Sequence, residues 1–170
     1  MLLEGSCHCG AVRFSLSSES PVPFLRCYCS ICRKVGGGGG YAINLGGDFN
    51  SLKITGEENL SRYHRMVTDP DTGEQTEAPA HRSFCKKCGS ALWNYDPRWP
   101  DLVHPFASAI DTTLPEAPSV SHMMLASKAN WVRLEVGKYD KTYNDYPDES
   151  LADWHQRHNL PSPDDETDKS

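Results

Sequence analysis

The chain has 170 residues, 38% hydrophobic and 24% charged, with a net charge of −6 and a pI near 5.6. That length suffices for one domain with a core of its own, and the acidic balance argues against nucleic acid as a partner. No apolar run reaches the ~18 residues that a membrane-spanning helix needs, and "MLLEGSCHCG" lacks the cationic start and apolar stretch of a secretory leader. The expected setting is a reducing cytoplasm, where clustered cysteines mean metal or catalysis rather than disulfides.

Read in chain order, apolar residues alternate with period two. Short strands are predicted at 11–16 (AVRFSL), 40–45 (GYAINL), 51–56 (SLKITG), 60–65 (LSRYHR), 81–85 (HRSFC), 90–95 (SALWNY) and 104–110 (HPFASAI). Turn clusters such as SSESPVP, LGGDFN, TDPDTGE and DPRWPD separate them. Thirteen glycines and twelve prolines suit many turns and few helices. SICRK (30–34) reads as one helical turn carrying Cys32. Residues 148–160 read as a helix, with Asp148 as N-cap and Leu151, Trp154 and His158 on one face. The expected organisation is a single all-β domain over 1–160 with a short C-terminal helix, followed by an acidic, disordered tail over 161–170.

All seven cysteines fall into three clusters: Cys7–His8–Cys9, Cys27–Tyr28–Cys29 with Cys32, and Cys85–Lys86–Lys87–Cys88. FCKKCGS has the form of a zinc knuckle, a tight turn aiming two thiolates at one ion, with Gly89 supplying positive φ. Cys7 and Cys9, two apart on a strand, would face the same way and complete a closed four-thiolate site of structural type. That site would staple the first strand to a distant hairpin.

Cys27, Cys29 and Cys32 are then left with three ligands and an open fourth position, the arrangement of catalytic zinc. Gly36 to Gly40 would let backbone and ligand approach that ion. Other readings stay open: a metal-free redox triad, or a second structural ion completed by a histidine. An iron–sulfur cluster would want a fourth cysteine.

The segments GSCHCGAVRF, RCYCSICRKVGG and FCKKCGSALW, supported by FASAID and SKANWV, resemble the glutathione-dependent formaldehyde-activating enzyme family, which includes the centromere protein V group. The resemblance covers about residues 4–135. It implies a twisted all-β "β-tent" with two zinc ions. One is structural, on Cys7, Cys9, Cys85 and Cys88; the other is catalytic and more labile, on Cys27, Cys29 and Cys32. The implied activity is that of a carbon–sulfur lyase working in the synthetic direction, joining glutathione and formaldehyde into S-hydroxymethylglutathione. The alternative is a non-catalytic, zinc-stabilised binding module of the same fold.

A zinc ion with three thiolates is a weak Lewis acid and better suited to holding a fourth thiolate, so a thiol substrate is expected to dock there and attack a small aldehyde. Arg33, Lys34, Gly36 and Gly37 are candidates for binding the thiol, the two cations through a carboxylate of glutathione. His8, inside the first cluster, is expected to point away from that metal; His104, Asp111, His122 and His155 are candidates for proton transfer, each more readily a surface or core residue. Trp93, Trp99, Trp131 and Trp154 read as core or rim aromatics.

Overall fold

The computed structural model describes residues 1–36 and 38–160, so Gly37 and the tail expected over 161–170 lie outside the described residues. The first strands are β1 (Leu2–Ser6), β2 (Arg13–Ser17) and β3 (Phe24–Cys27), followed by helix α1 (Ser30–Val35). Next come β4 (Ala42–Asn44), β5 (Gly47–Asp48), β6 (Lys53–Thr55) and the long β7 (Leu60–Thr68) and β8 (Gln75–Cys85). Strands β9 (Ala91–Tyr95), β10 (Leu102–Pro105), β11 (Val120–Met123), β12 (Lys141–Thr142) and helix α2 (Leu151–Arg157) complete the chain.

These strands build three sheets. The first is the antiparallel trio β1–β2–β6, and the second the antiparallel set β5–β10–β9–β8–β7. The third runs β12–β11–β3–β4, where β3 and β4 are antiparallel but β11 is parallel to both β3 and β12. The fold is all-β, mostly antiparallel.

Alternation explains the core. Along β1 and β2 every second residue is buried, which places Leu3, Phe14 and Leu16 on one face, against Leu92, Trp93 and Val103 of the second sheet. Phe14 meets Trp93 edge-on, with centroids 5.1 Å apart. Each such side chain contributes about 1.5–3 kcal/mol when fully buried. Cys7 and Cys85 belong to this cluster. A second buried cluster contains Cys27, Cys32, Ala42, Phe106 and Met123.

The second sheet presents two different faces. Residues paired directly across strands share a face. His81 and Ser83 of β8 pair with Tyr95 and Trp93, on the core side. Arg82 pairs with Asn94, which pairs in turn with His104, forming a polar row on the opposite side. A bulge at Ser83/Phe84 pairs Ala91 with Phe84 and so turns it to this side, where Ala91 and Phe106 pack into the Cys27–Cys32 cluster.

Three local expectations change. The stretch 107–109 is a 3-10 turn rather than a continuation of β10. Helix α2 is capped by Ser150, not Asp148: Ser150 Oγ accepts from Asp153 N–H at 3.0 Å while the Asp153 carboxylate accepts from Ser150, forming a capping box. Strands β3 and β11 had not been anticipated.

Candidate metal centres

The two hairpin turns that carry the first and third cysteine clusters meet. The Sγ atoms of Cys7, Cys9, Cys85 and Cys88 all lie within 4.8 Å of one another. Cys7 and Cys9 do so from the β1–β2 turn, not from a strand as the spacing suggested: Cys7 N–H donates to Val12 O at 3.0 Å and Gly10 N–H to Cys7 O at 2.9 Å. The β8–β9 turn repeats the pattern, with Gly89 N–H donating to Cys85 O at 2.8 Å. Gly10 and Gly89 both have φ near +70°, where a side chain would be strained. Val12 N–H donates to Cys7 Sγ at 3.2 Å. The hydroxyl and N–H of Ser90 hold the Cys88 thiol down to about 5. Cys9 and Cys88 are exposed, so this set is complete in coordination without being sealed from water.

The middle cluster forms where β3 runs into α1. Cys27 ends β3; Cys29 is the N-cap of α1, its Sγ accepting from Cys32 N–H at 3.4 Å; Cys32 lies in the first turn. Their three Sγ atoms again lie within 4.8 Å. Cys27 and Cys32 are buried and Cys29 half-buried, so access to the cluster passes Cys29. Hydrogen bonds from Cys27 and Cys32, with backbone N–H groups, hold Cys29 down to about 2. Cys29 and Cys32 push Cys27 far up; Cys32, despite a hydrogen bond with Cys27, is pushed up to about 11 by Cys29 and burial. A divalent metal ion binds thiolates and displaces thiol protons, and both donor sets fit zinc.

Gly36 and Gly40 are required by the chain's own packing. A Cβ on Gly36 would sit 2.7 Å from Ala42 Cβ, and one on Gly40, at φ +85°, 2.2 Å from Val132 Cγ2. Gly38 faces open space. Lys34 is exposed, whereas Arg33 is half-buried with its Nε lacking a partner among the described residues.

The acid–base candidates disperse. His8 is exposed, its N–H donating to Ser90 Oγ at 3.1 Å beside the four-cysteine set. Asp111 Oδ2 accepts from Ser6 Oγ at 2.7 Å. Both line a cleft of about 330 Å³ next to Cys7. His104 Nδ1 donates to Leu45 O at 3.0 Å, and burial lowers its pKa. His155 Nε2 donates to Val22 O at 2.6 Å under α2. His122 is fully buried and bonded at both ring nitrogens, to Tyr28 Oη at 2.9 Å and Asp140 Oδ2 at 3.2 Å. A larger cleft, about 510 Å³, opens between Phe49, Arg62, His81 and Trp93. Neither cleft is lined by Cys27, Cys29 or Cys32.

Comparison with known proteins agrees with this architecture. The family model for glutathione-dependent formaldehyde-activating enzymes matches residues 2–127, a span holding all seven cysteines. A Halomonas elongata protein bearing that family's name is 55% identical over 157 residues, covering 92% of this chain and 96% of its own. The crystal structure of a Rhodobacter sphaeroides protein is similar with a TM-score of 0.50 at 26% identity, covering 66% of this chain and 91% of that one. Matched by the family model over residues 2–127, with its cysteines gathered by the fold into a set of four and a set of three, this chain belongs to the glutathione-dependent formaldehyde-activating enzyme family.

Proposed function

We propose that the protein is a zinc-dependent carbon–sulfur lyase that adds the thiol of glutathione to formaldehyde or a similarly small aldehyde at Cys27, Cys29 and Cys32. The observation that carries this reading is a convergent three-thiol set with no fourth His, Cys, Asp or Glu ligand among the described residues. Cys7, Cys9, Cys85 and Cys88 take the structural role, tying two turns together. Zinc, when bound at the three-cysteine set, would favour the thiolate form of an incoming thiol at neutral pH. In the reaction the thiol gives up its proton and its sulfur pair forms the C–S bond. The carbonyl π pair moves to oxygen, which takes up a proton, so the net change is addition.

The chain's own residues prepare this site. As N-cap of α1, Cys29 has its sulfur held by the Cys32 N–H at the start of the helix. Tyr28, fixed through His122, anchors the backbone between Cys27 and Cys29, and its N–H donates to Met123 O at 3.0 Å. Arg33 stands one turn beyond Cys29, on the same side of α1, where it can meet a carboxylate.

The test is adduct formation followed by NMR with glutathione and a panel of aldehydes that includes formaldehyde. The reading expects acceleration over the uncatalysed reaction, lost in Cys29→Ser. No acceleration with any aldehyde removes the lyase assignment. One observation favours a second reading: Cys27 and Cys32 are only 4% and 3% exposed, as suits an inert ion in a binding module. Exchange of the middle-site metal with added isotope separates the two, being slow for the module and fast for the enzyme.

A further inference from the structure

Buried polar atoms without partners are rare in folded proteins, and each calls for an explanation, a bound ligand or ordered water among them. Among the described residues, Arg82 Nε, Arg33 Nε, Asn94 Oδ1 and Asn44 Oδ1 are buried and unpartnered. They come from four elements, yet the topology brings them to one place. Arg82 and Asn94 are directly opposite across β8 and β9, on the face that looks toward Cys27 and Cys32. Asn44, only 7% exposed, lies two residues from Ala42, which pairs with Cys27 and packs in the same cluster. A bridge from Asn44 to Phe106 ties β4 to the end of β10 on this side. Arg33 approaches from α1, where its N–H donates to Cys29 O at 3.0 Å.

The chemistry of this group is specific. A guanidinium presents N–H donors in a planar fork that matches a carboxylate. Two amide oxygens without donors call for N–H groups on the ligand. A small aldehyde such as formaldehyde satisfies neither demand; a peptide-like molecule, with a carboxylate beside an amide N–H, satisfies both.

We propose that Arg82, with Asn94 and Asn44, forms a carboxylate subsite beside the three-cysteine cluster that selects a peptide-like thiol, Arg33 facing it from α1. This deepens the proposed thiol addition and rests on that reading for its purpose, while its test needs no turnover. Arg82 is a specificity-determining residue here.

The experiment is calorimetric titration of the zinc-loaded protein with S-methylglutathione, whose capped sulfur cannot act as a thiolate ligand. Arg82→Gln should weaken binding tenfold or more, and Arg82→Lys should recover part of it. Esterifying the carboxylates of S-methylglutathione should cost wild type about as much as Arg82→Gln costs with the free acid. Wild-type affinity in Arg82→Gln overturns the proposal. So does an Arg82 dependence seen only with glyoxylate, which would assign the carboxylate to the carbonyl substrate. Thermal midpoint and zinc content verify folding of each variant. If Arg82→Gln does not fold, Asn94→Asp decides: its added negative charge should abolish binding, and unchanged affinity refutes the subsite. A protein that binds S-methylglutathione in an Arg82-dependent way but forms no adduct keeps the subsite and loses the lyase reading.

Discussion

The two cysteine sets should differ most sharply in how much fold stability each supports. In the four-cysteine set, Cys9 and Cys85 have their Sγ atoms 3.8 Å apart although 76 residues separate them. A cross-link closing a loop of that length is worth about 4.5 kcal/mol through chain entropy. Cys27, Cys29 and Cys32 are neighbours in sequence, and cross-linking a loop of about five residues is worth only ~2 kcal/mol. Against a total of about 5–15 kcal/mol for a domain, the first is a large share. The double variant Cys9→Ser/Cys88→Ser removes two exposed sulfurs and so changes little else. Its thermal midpoint should fall by roughly 10–18 °C, and that of Cys29→Ser by roughly 4–8 °C, at ~2–4 °C per kcal/mol. The assay is far-UV circular dichroism during heating, at fixed protein and zinc concentrations because bound metal shifts the midpoint. A loss in Cys29→Ser as large as in the double variant would refute the assignment of roles, as would a wild-type midpoint that a strong chelator leaves in place.

Other expectations follow from single contacts. Gly40→Ala would force a Cβ against Val132 at a positive φ and should cost roughly 2–3 kcal/mol in urea unfolding, whereas Gly38→Ala meets nothing and should stay within about 0.5 kcal/mol. Tyr28→Phe leaves a His122 ring nitrogen buried and unpaired, at a cost of about 1–3 kcal/mol by the same measurement. The Arg98 side chain, bonded to Asp96 at 2.6–3.1 Å, holds that buried carboxyl below its ordinary value of 3.8. The stability it contributes is therefore present above pH ~4 and lost as pH falls through the lowered value, so the wild type's advantage over Asp96→Asn should shrink in urea titrations below pH 4. Ser150→Ala breaks the capping box of α2 and should cost about 1 kcal/mol.

What could be read in advance depended on whether the deciding interaction was local. Alternation over 11–16 and 90–95 marked β2 and β9, because each strand's pattern is set by its own two faces. Spacing divided the cysteines into a set of four and a set of three, and the sulfurs of each set lie together, although the set of four depends on two turns 76 residues apart meeting. The reading that placed Cys7 and Cys9 on a strand missed the turn, which is made by hydrogen bonds from Gly10 to Cys7 and from Cys7 to Val12. Strands β3 and β11 pair in parallel across nearly a hundred residues, and neither FLRC nor VSHM alternates strongly enough to announce that. For the same reason the Tyr28–His122–Asp140 chain and the Arg82–Asn94 pair had no local signature: their partners are set by sheet order. FASAI looked like a strand on composition, but Ala109 N–H turns back to Phe106 O at 2.9 Å and makes a 3-10 turn.

Cobalt substitution offers the most direct view of whether the middle cysteines hold a metal with a corner free for a thiol. In cobalt(II)-loaded protein, glutathione should alter the thiolate charge-transfer and ligand-field bands. That response should vanish in Cys29→Ser and persist in Cys88→Ser. Spectra indifferent to glutathione in the fully loaded wild type would show the metal already saturated, and the account of its chemistry would fall.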